Sequence, residues 1–205
     1  MRTVDPEQHR RRRHEIVEAA VGLFASKGFE ATTTADICRA AGISTGRLFH
    51  YFPSKQAVFH AIFELDRREQ EEALVRAVAD PDPWRGLTAV VERIAAETAH
   101  PVVAGLFVEV VTQAHRDPVV TRLVAEDDRR VLDAVAALVG RLTASGRADP
   151  GMPPAEAARW VLTLAESFYG RGYPEPGRDR AADLVTVLEL VARVLRLDAA
   201  GAPGR

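Results

Sequence analysis

Apolar residues recur every three or four positions along most of the chain, and this helical period is the feature that most restricts its fold. No segment alternates apolar and polar residues for long enough to indicate a half-buried β-strand. Candidate N-cap residues stand ahead of the first periodic segments, namely Asp5, Thr33 or Thr34, Ser44 and Ser54. The sequence therefore predicts an all-α protein of about nine helices.

The helices predicted after Ser54 are longer than those before it. Because no breaker occurs before Asp80, one continuous helix is expected from Lys55 to that point. Prolines and glycines then bound five further helices, at residues 84–100, 102–115, 119–143, 155–171 and 180–197.

Charge is divided unevenly along the chain. The net charge is −2, but residues 1–60 carry +3 and residues 61–205 carry −5. A basic first part joined to a larger acidic part indicates that only the N-terminal part meets a polyanion.

The single cysteine, Cys38, excludes an internal disulfide and is expected to pack in the core. Because no apolar leader or membrane-length segment is found, we expect a cytoplasmic protein with no membrane partner.

Two short predicted helices, at residues 35–41 and 45–51, are joined by a turn. Ile37 and Leu48 are expected to face each other, with the small Ala40 also facing inward so that the helices cross closely. Gly42 allows the left-handed backbone that such a turn requires. This spacing predicts a helix-turn-helix, in which the second helix enters the major groove of DNA.

The segment 31–59, ATTTADICRAAGISTGRLFHYFPSKQAVF, closely resembles the N-terminal DNA-binding region of the TetR family of transcriptional repressors. Paired threonines, Ala-Gly-Ile-Ser, Gly-x-Leu and Tyr-Phe-Pro-Ser-Lys occur together at the family's spacing. The resemblance implies a three-helix, helix-turn-helix DNA-binding domain at residues 1–54. It also implies a helical ligand-binding and dimerisation domain at residues 55–205.

The resemblance further implies two sets of contacts with double-stranded DNA. Phosphate contacts would come from Thr34, Ser44, Tyr51 and Lys55, and groove contacts from Thr45, Gly46, Arg47 and His50. An arginine can donate two hydrogen bonds to guanine O6 and N7, and a glycine lets the helix backbone approach the duplex.

Two positions depart from the family pattern. Phe49 replaces the usual tyrosine and lacks its hydroxyl, whereas Tyr51 stands where histidine is common. The chain contains no asparagine, which excludes asparagine readout of adenine.

The run Arg10–Arg13 has two interpretations. It could reach the DNA backbone or the flanking minor groove, or it could form a solvated face of the helix.

The predicted last helix, residues 180–197, is apolar on nearly all sides. Because a terminal helix cannot bury two faces within its own subunit, we expect it to form a four-helix bundle with the preceding helix and their copies in a homodimer, as in the family. An unusually buried core is the alternative. Two-fold symmetry would match a palindromic operator, with one recognition helix for each half-site.

The resemblance also implies a small, hydrophobic effector in a mostly apolar cavity. Candidate lining residues are Phe107, Val111, Trp160 and Glu166, although aromatic residues at helical spacing more often belong to the plain core. The expected function is that of a ligand-responsive regulator, acting as a repressor. The alternative is a ligand-independent DNA-binding regulator that a protein partner controls.

Residues 42–46 also match the Gly-x-Ser-x-Gly motif of serine hydrolases, with His100 or His115 as a possible base. That motif requires a strand before Ser44, whereas the preceding residues have a helical pattern. We therefore expect no catalytic residue and no enzyme. The histidine spacing does not indicate a metal site, and no cofactor is expected.

Overall fold

The computed structural model describes residues 5–65, 67–98, 101–167 and 179–198. These residues form ten α-helices and no strand. The helices are α1 (Pro6–Ala31), α2 (Thr34–Ala40), α3 (Thr45–Tyr51), α4 (Lys55–His60), α5 (Arg67–Ala79), α6 (Pro83–Thr98), α7 (Pro101–Ala114), α8 (Pro118–Ala144), α9 (Pro154–Glu166) and α10 (Arg180–Val194). The all-α prediction is confirmed.

The helix expected to run unbroken from Lys55 to Asp80 is interrupted, and that prediction is wrong in this detail. After α4 the chain tightens into a 3₁₀ turn, Ala61–Glu64, and Leu65 is extended with ψ 134°. Counted as one interrupted helix, α4 and α5 restore the nine expected helices. No glycine or proline lies at the break, so its position could not be predicted from helix-breaking residues in the sequence.

The predicted N-caps are formed by side-chain acceptors. The Asp5 carboxylate accepts from the backbone N–H of Glu7, and the Ser54 hydroxyl accepts from that of Ala57. Thr33 and Asp36 form a reciprocal capping box at α2, which makes Thr33 the cap and Thr34 the first helical residue. These bonds satisfy N–H groups that have no partner within the helix.

Packing divides the chain into two compact units. The first consists of Met1–Arg67 with Pro101–Val124, and the second of Arg68–His100 with Ala125–Arg205. The functional boundary predicted between residues 54 and 55 is a division by role and stays a prediction.

The core of the first unit joins α1 to the short helices and to α7. Its largest fully buried side chains are Ile16, Phe24, Ile37, Leu48, Phe52, Val58 and Phe59. Helix α7 lies very close to α1, because a Cβ on Gly105 would stand 2.4 Å from the carbonyl oxygen of Ala25. Helices α2 and α3 therefore share a core with a helix that lies far from them in the sequence.

The second unit has its own core, built from α5, α6, α8, α9 and α10. Helices α5 and α6 approach closely at Gly86, where a Cβ would lie 2.2 Å from the carbonyl oxygen of Ala77. Arg141 donates to the carbonyl oxygen of Val78 at 2.6 Å and ties α8 to the end of α5. Within the described part of the chain, no single helix is long and apolar enough to cross a membrane.

Candidate nucleic-acid interface

Helices α2 and α3 form the predicted helix-turn-helix. Gly42 has φ +63°, and the Ile43 N–H donates to the Cys38 carbonyl at 3.0 Å, which closes the turn. Ile37 and Leu48 are buried, as predicted, and Cys38 is buried in the same core. Ala40 is exposed, so its expected inward orientation is wrong. The two helices are held instead by Ile37 and Leu48, which are buried in the same core.

The outer face of α3 carries the residues predicted to enter the groove. Thr45, Gly46, Arg47 and His50 are all exposed, whereas Leu48 on the opposite face is buried. A Cβ added at Gly46 would meet no protein atom within 4 Å. Packing within the chain therefore does not require glycine at this position, in contrast to Gly105, where backbone occupies the space.

Three of the predicted phosphate contacts lie at helix ends around α3. The Ser44 hydroxyl is exposed and accepts from the Arg47 N–H at 3.3 Å as the N-cap. Thr34 and Tyr51 are partly buried, at the start of α2 and the end of α3. A hydroxyl that accepts as a cap keeps its own O–H donor, so capping by Ser44 is compatible with a phosphate contact.

Lys55 has an internal role that sequence reasoning missed. Its ammonium donates to the carbonyl oxygens of Phe29 at 2.6 Å, Thr32 at 2.9 Å and Glu30 at 3.4 Å. It also lies 4.2 Å from the centre of the Phe29 ring. Three acceptors match the three donors of a lysine, so Lys55 closes the C-terminal end of α1. Its predicted phosphate contact stays a prediction and would have to share these donors.

One member of the arginine run also points inward. Arg13 donates to the Tyr51 carbonyl at 2.9 Å, and its guanidinium lies 4.3 Å from the centre of the Phe52 ring. It therefore holds the first turns of α1 against the C-terminal end of α3. Arg10 and Arg12 lie on the outside and pair within α1 with glutamates one turn away.

His9 joins this end of α3 and was also missed. Its ring centre lies 4.8 Å from that of Tyr51 and 6.1 Å from that of His50, and the rings of His50 and Tyr51 are 5.2 Å apart. A sequence signal existed, because His9 and Arg13 continue the buried stripe of α1 that includes Ile16 at helical spacing.

A second polar cluster lies in the core behind α4. One Asp117 carboxylate oxygen accepts from His60 Nε2 at 2.6 Å and from Gln56 Nε2 at 2.8 Å, and the other accepts from the Val119 N–H at 2.9 Å. Burial acts to raise the pKa of Asp117, but the hydrogen bonds from His60, Gln56 and Val119 outweigh it and lower the pKa to about 2. Asp117 thus caps α8 and bonds it to α4 as a buried carboxylate.

The four predicted ligand-binding residues fall in different units. Phe107 and Val111 lie one turn apart on α7 in the first unit, each 42% exposed. Trp160 and Glu166 belong to α9 in the second unit and, being six residues apart, lie about 120° apart around the helix axis. Partial burial and the charge of Asp128 raise the pKa of Glu166.

That these four residues line one cavity remains a prediction. A groove of about 300 Å³ in the second unit lies between α5 and α6 and contains none of them. Its walls combine the apolar Leu74, Ala77 and Val90 with three arginines.

Helix α10 has two apolar faces, as its sequence pattern predicts. Val187, Val191 and Leu195 are buried in the second unit, whereas Val185 is 54% and Leu190 38% exposed. Trp160 on the neighbouring α9 is 54% exposed. Phe168 and Tyr169, which also belong to the predicted bundle surface, lie outside the described residues.

The segment that resembles a hydrolase motif lies between two helices. Residues 34–40 ahead of it are α2, and Ser44 begins α3. A nucleophile elbow presents its serine at the end of a strand, so the local geometry is that of a helix-turn-helix. Among the described residues no group of three or more histidine, cysteine, aspartate or glutamate side chains could hold a metal ion.

Comparisons with known proteins agree with this geometry. The family described as "Bacterial regulatory proteins, tetR family" matches residues 16–62. The HTH-type transcriptional regulator UidR of Escherichia coli K12 is 29% identical over 154 residues, which cover 74% of this chain and 76% of UidR. The HTH-type transcriptional repressor KstR2 of Rhodococcus jostii is 47% identical over 51 residues, 25% of each chain.

A solved structure extends the similarity in fold to most of the chain. The transcriptional regulator FadR from Bacillus subtilis, in complex with stearoyl-CoA, has a TM-score of 0.74 and 18% identity. The match covers 88% of this chain and 97% of FadR.

Proposed function

We propose that the chain is a member of the TetR family of bacterial regulatory proteins, whose model matches residues 16–62, and that it acts as a ligand-responsive transcriptional repressor. It binds a palindromic operator in double-stranded DNA as a homodimer and releases it when a small hydrophobic effector binds. It acts in the cytoplasm. The observation that carries this proposal is the exposed outer face of α3, where Arg47 follows Gly46 and His50 lies one turn beyond it.

Recognition follows from the orientation of α3. Leu48 fixes the inner face in the core, so that Thr45, Gly46 and Arg47 face outward at the beginning of the helix. N-terminal residues of a recognition helix are those that contact base edges in helix-turn-helix proteins. Arg47 reads guanine through two hydrogen bonds, which is worth about 1–3 kcal/mol of discrimination for each half-site.

DNA binding can be tested before the operator sequence is identified. Duplexes are selected from a random-sequence pool with the purified protein at about 50 mM salt, and the affinity for the selected duplex is measured by fluorescence anisotropy. We expect Arg47→Ala to weaken binding at least tenfold, since each 1.4 kcal/mol is about a factor of ten. Arg68→Ala is the control, because Arg68 is 92% exposed on α5 and pairs with Glu72. Failure to select any duplex would refute the proposal.

Dimerisation is assigned to the exposed apolar residues of α9 and α10. Sedimentation equilibrium should give a dimer for the native chain and a monomer for Leu190→Glu, because a charge at this position is desolvated in the bundle. Val75→Glu changes a 68% exposed valine on α5 and should leave the dimer intact. A Leu190→Glu dimer as stable as the native one would place the interface elsewhere.

The proposed effector has an apolar part that contacts Phe107 and Val111 on α7. The acyl-CoA bound to FadR, which shares the fold, makes a series of acyl-CoAs of increasing chain length the first probes. A true effector stabilises the protein by RT ln(1 + [L]/Kd) in a thermal shift assay and weakens DNA binding. A tenfold weakening of DNA binding requires the ligand to prefer the released conformation over the DNA-binding one by about 1.4 kcal/mol. Thermal stabilisation without any change in DNA affinity would contradict release by this ligand.

A further inference from the structure

A pair of histidines from two different helices lies at the C-terminal end of α3. His50 is exposed near the end of α3, and His9, which is partly exposed, comes from the second turn of α1. Their ring centres are 6.1 Å apart at an interplanar angle of 80°, and both rings contact Tyr51. Tyr51 and His50 belong to the proposed DNA contacts, so His9 lies beside that surface.

Arg13 fixes this arrangement. Its hydrogen bond to the Tyr51 carbonyl and its contact with the Phe52 ring join α1 to α3 one turn beyond His9. The His9 N–H is bonded within α1 to the carbonyl oxygen of Asp5 at 3.0 Å. The position of the His9 ring is thus set by two helices rather than by a free N-terminal arm.

We infer that His9 and His50 together bind a DNA backbone phosphate as imidazolium ions, in place of the groove contact that the family resemblance implies for His50, so that operator affinity rises as the pH falls. The inference rests on the proposed function and adds His9 to the DNA-contacting residues. It also assigns a regulatory property, sensitivity to acidification, to the same surface.

Proton uptake is expected to accompany DNA binding, because a phosphate oxygen beside the two rings favours their protonated forms. The ring centres are 6.1 Å apart, so one phosphate group can lie near both rings. The DNA-bound state therefore holds more protons than the free state, and affinity increases on acidification between about pH 8 and pH 5.

Other charged and titratable groups lie on the same elements as the two histidines. They are Asp5, the N-cap of α1, with Glu7, Arg10, Arg12 and Arg13 in α1, Arg47 and Tyr51 in α3, and Glu64 in the 3₁₀ turn. Glu7 and Glu64 are paired with Arg10 and Arg13, and the Asp5 carboxylate accepts from the Glu7 N–H as the N-cap of α1. The counter-charge proposed for the imidazolium pair is the phosphate backbone.

The test compares the affinity for the selected duplex at about pH 6 and about pH 8, at constant ionic strength. We expect binding to be at least tenfold tighter at the lower pH, with a steeper dependence on salt, by about 0.9 in the logarithmic slope for each added phosphate contact. Titration calorimetry in two buffers of different ionisation enthalpy should show proton uptake on binding. The double variant His9→Gln/His50→Gln should lose most of the pH effect, and His9→Gln alone should lose part of it.

Two matched variants serve as controls. His14→Gln lies on the same helix, where His14 pairs with Glu18, and His115→Gln lies at the end of α7. Both should retain the pH effect, and His9→Arg should bind tightly at both pH values because the charge is permanent.

Equal affinity at the two pH values, or a pH effect that survives in the double variant, would overturn the inference and leave the proposed function intact. A full effect in His9→Gln would remove His9 from the contacts. Failure to bind DNA at any pH would overturn both.

Discussion

Asp117 gives the sharpest test of the packing described above. It is 6% exposed and accepts three hydrogen bonds, which join α4 to the start of α8. Burial opposes ionisation, yet these bonds lower its pKa from 3.8 to about 2. A shift of nearly two units at about 1.4 kcal/mol each corresponds to about 2.5 kcal/mol of stability at neutral pH.

The perturbation is Asp117→Asn, which keeps the shape and removes the charge. We expect the free energy of unfolding to fall by about 2 kcal/mol at pH 7, measured from urea denaturation with an unchanged m-value. Asp133→Asn on the exposed side of α8 is the control and should change stability by less than about 0.5 kcal/mol.

The pH dependence follows from the sign of the shift. Because the folded-state pKa lies below the unfolded value, the contribution of Asp117 is complete above about pH 5 and disappears as the pH falls towards 2. The difference between the native chain and Asp117→Asn should therefore shrink to roughly half near pH 3. A variant as stable as the native protein at pH 7, or a difference that grows on acidification, would refute the reasoning.

Two further substitutions test the close contacts of α1. Gly105→Ala should lower the free energy of unfolding by about 2 kcal/mol or more, because the new Cβ would lie 2.4 Å from the backbone oxygen of Ala25. Gly22→Ala is the control, because a Cβ at Gly22 meets nothing within 4 Å and should leave stability unchanged or slightly higher. Both are measured by urea denaturation. Lys55→Met should lower the free energy of unfolding by about 2 kcal/mol, because three carbonyl oxygens lose their donor. Lys27→Met is the control and should lower it by less than about 1 kcal/mol, because the Lys27 ammonium is half exposed and lies 3.7 Å from a carboxylate. Equal losses for the two lysine variants would contradict the internal role of Lys55.

The local structure of the DNA-binding region could be predicted because its signals are local. Side chains at Asp5, Thr33, Ser44 and Ser54 can cap only the helix that follows them, and Gly42 suits a left-handed turn wherever the chain passes. The exposed face of α3 followed from the burial of Leu48 on the other side. Such features do not depend on distant parts of the chain.

Long-range partners could not be predicted in the same way. The contact of α7 with α1 joins residues about 80 positions apart, and nothing near Gly105 in the sequence indicates which backbone it approaches. Asp117 likewise resembles an ordinary N-cap ahead of Pro118, and only the fold brings His60 and Gln56 to its other oxygen. The break after α4 has no local marker at all.

The basic residues show why charge alone does not define the interface. A helix turns about 100° for each residue, so four successive arginines must cover nearly the whole circumference of α1. At least one of them had to face the core, and Arg13 is the one in register with the buried stripe through Ile16 and Val17. A basic run on an amphipathic helix therefore supplies both an outward charge and an internal clamp. Register with the apolar stripe distinguishes them, and the same register places His9 beside α3.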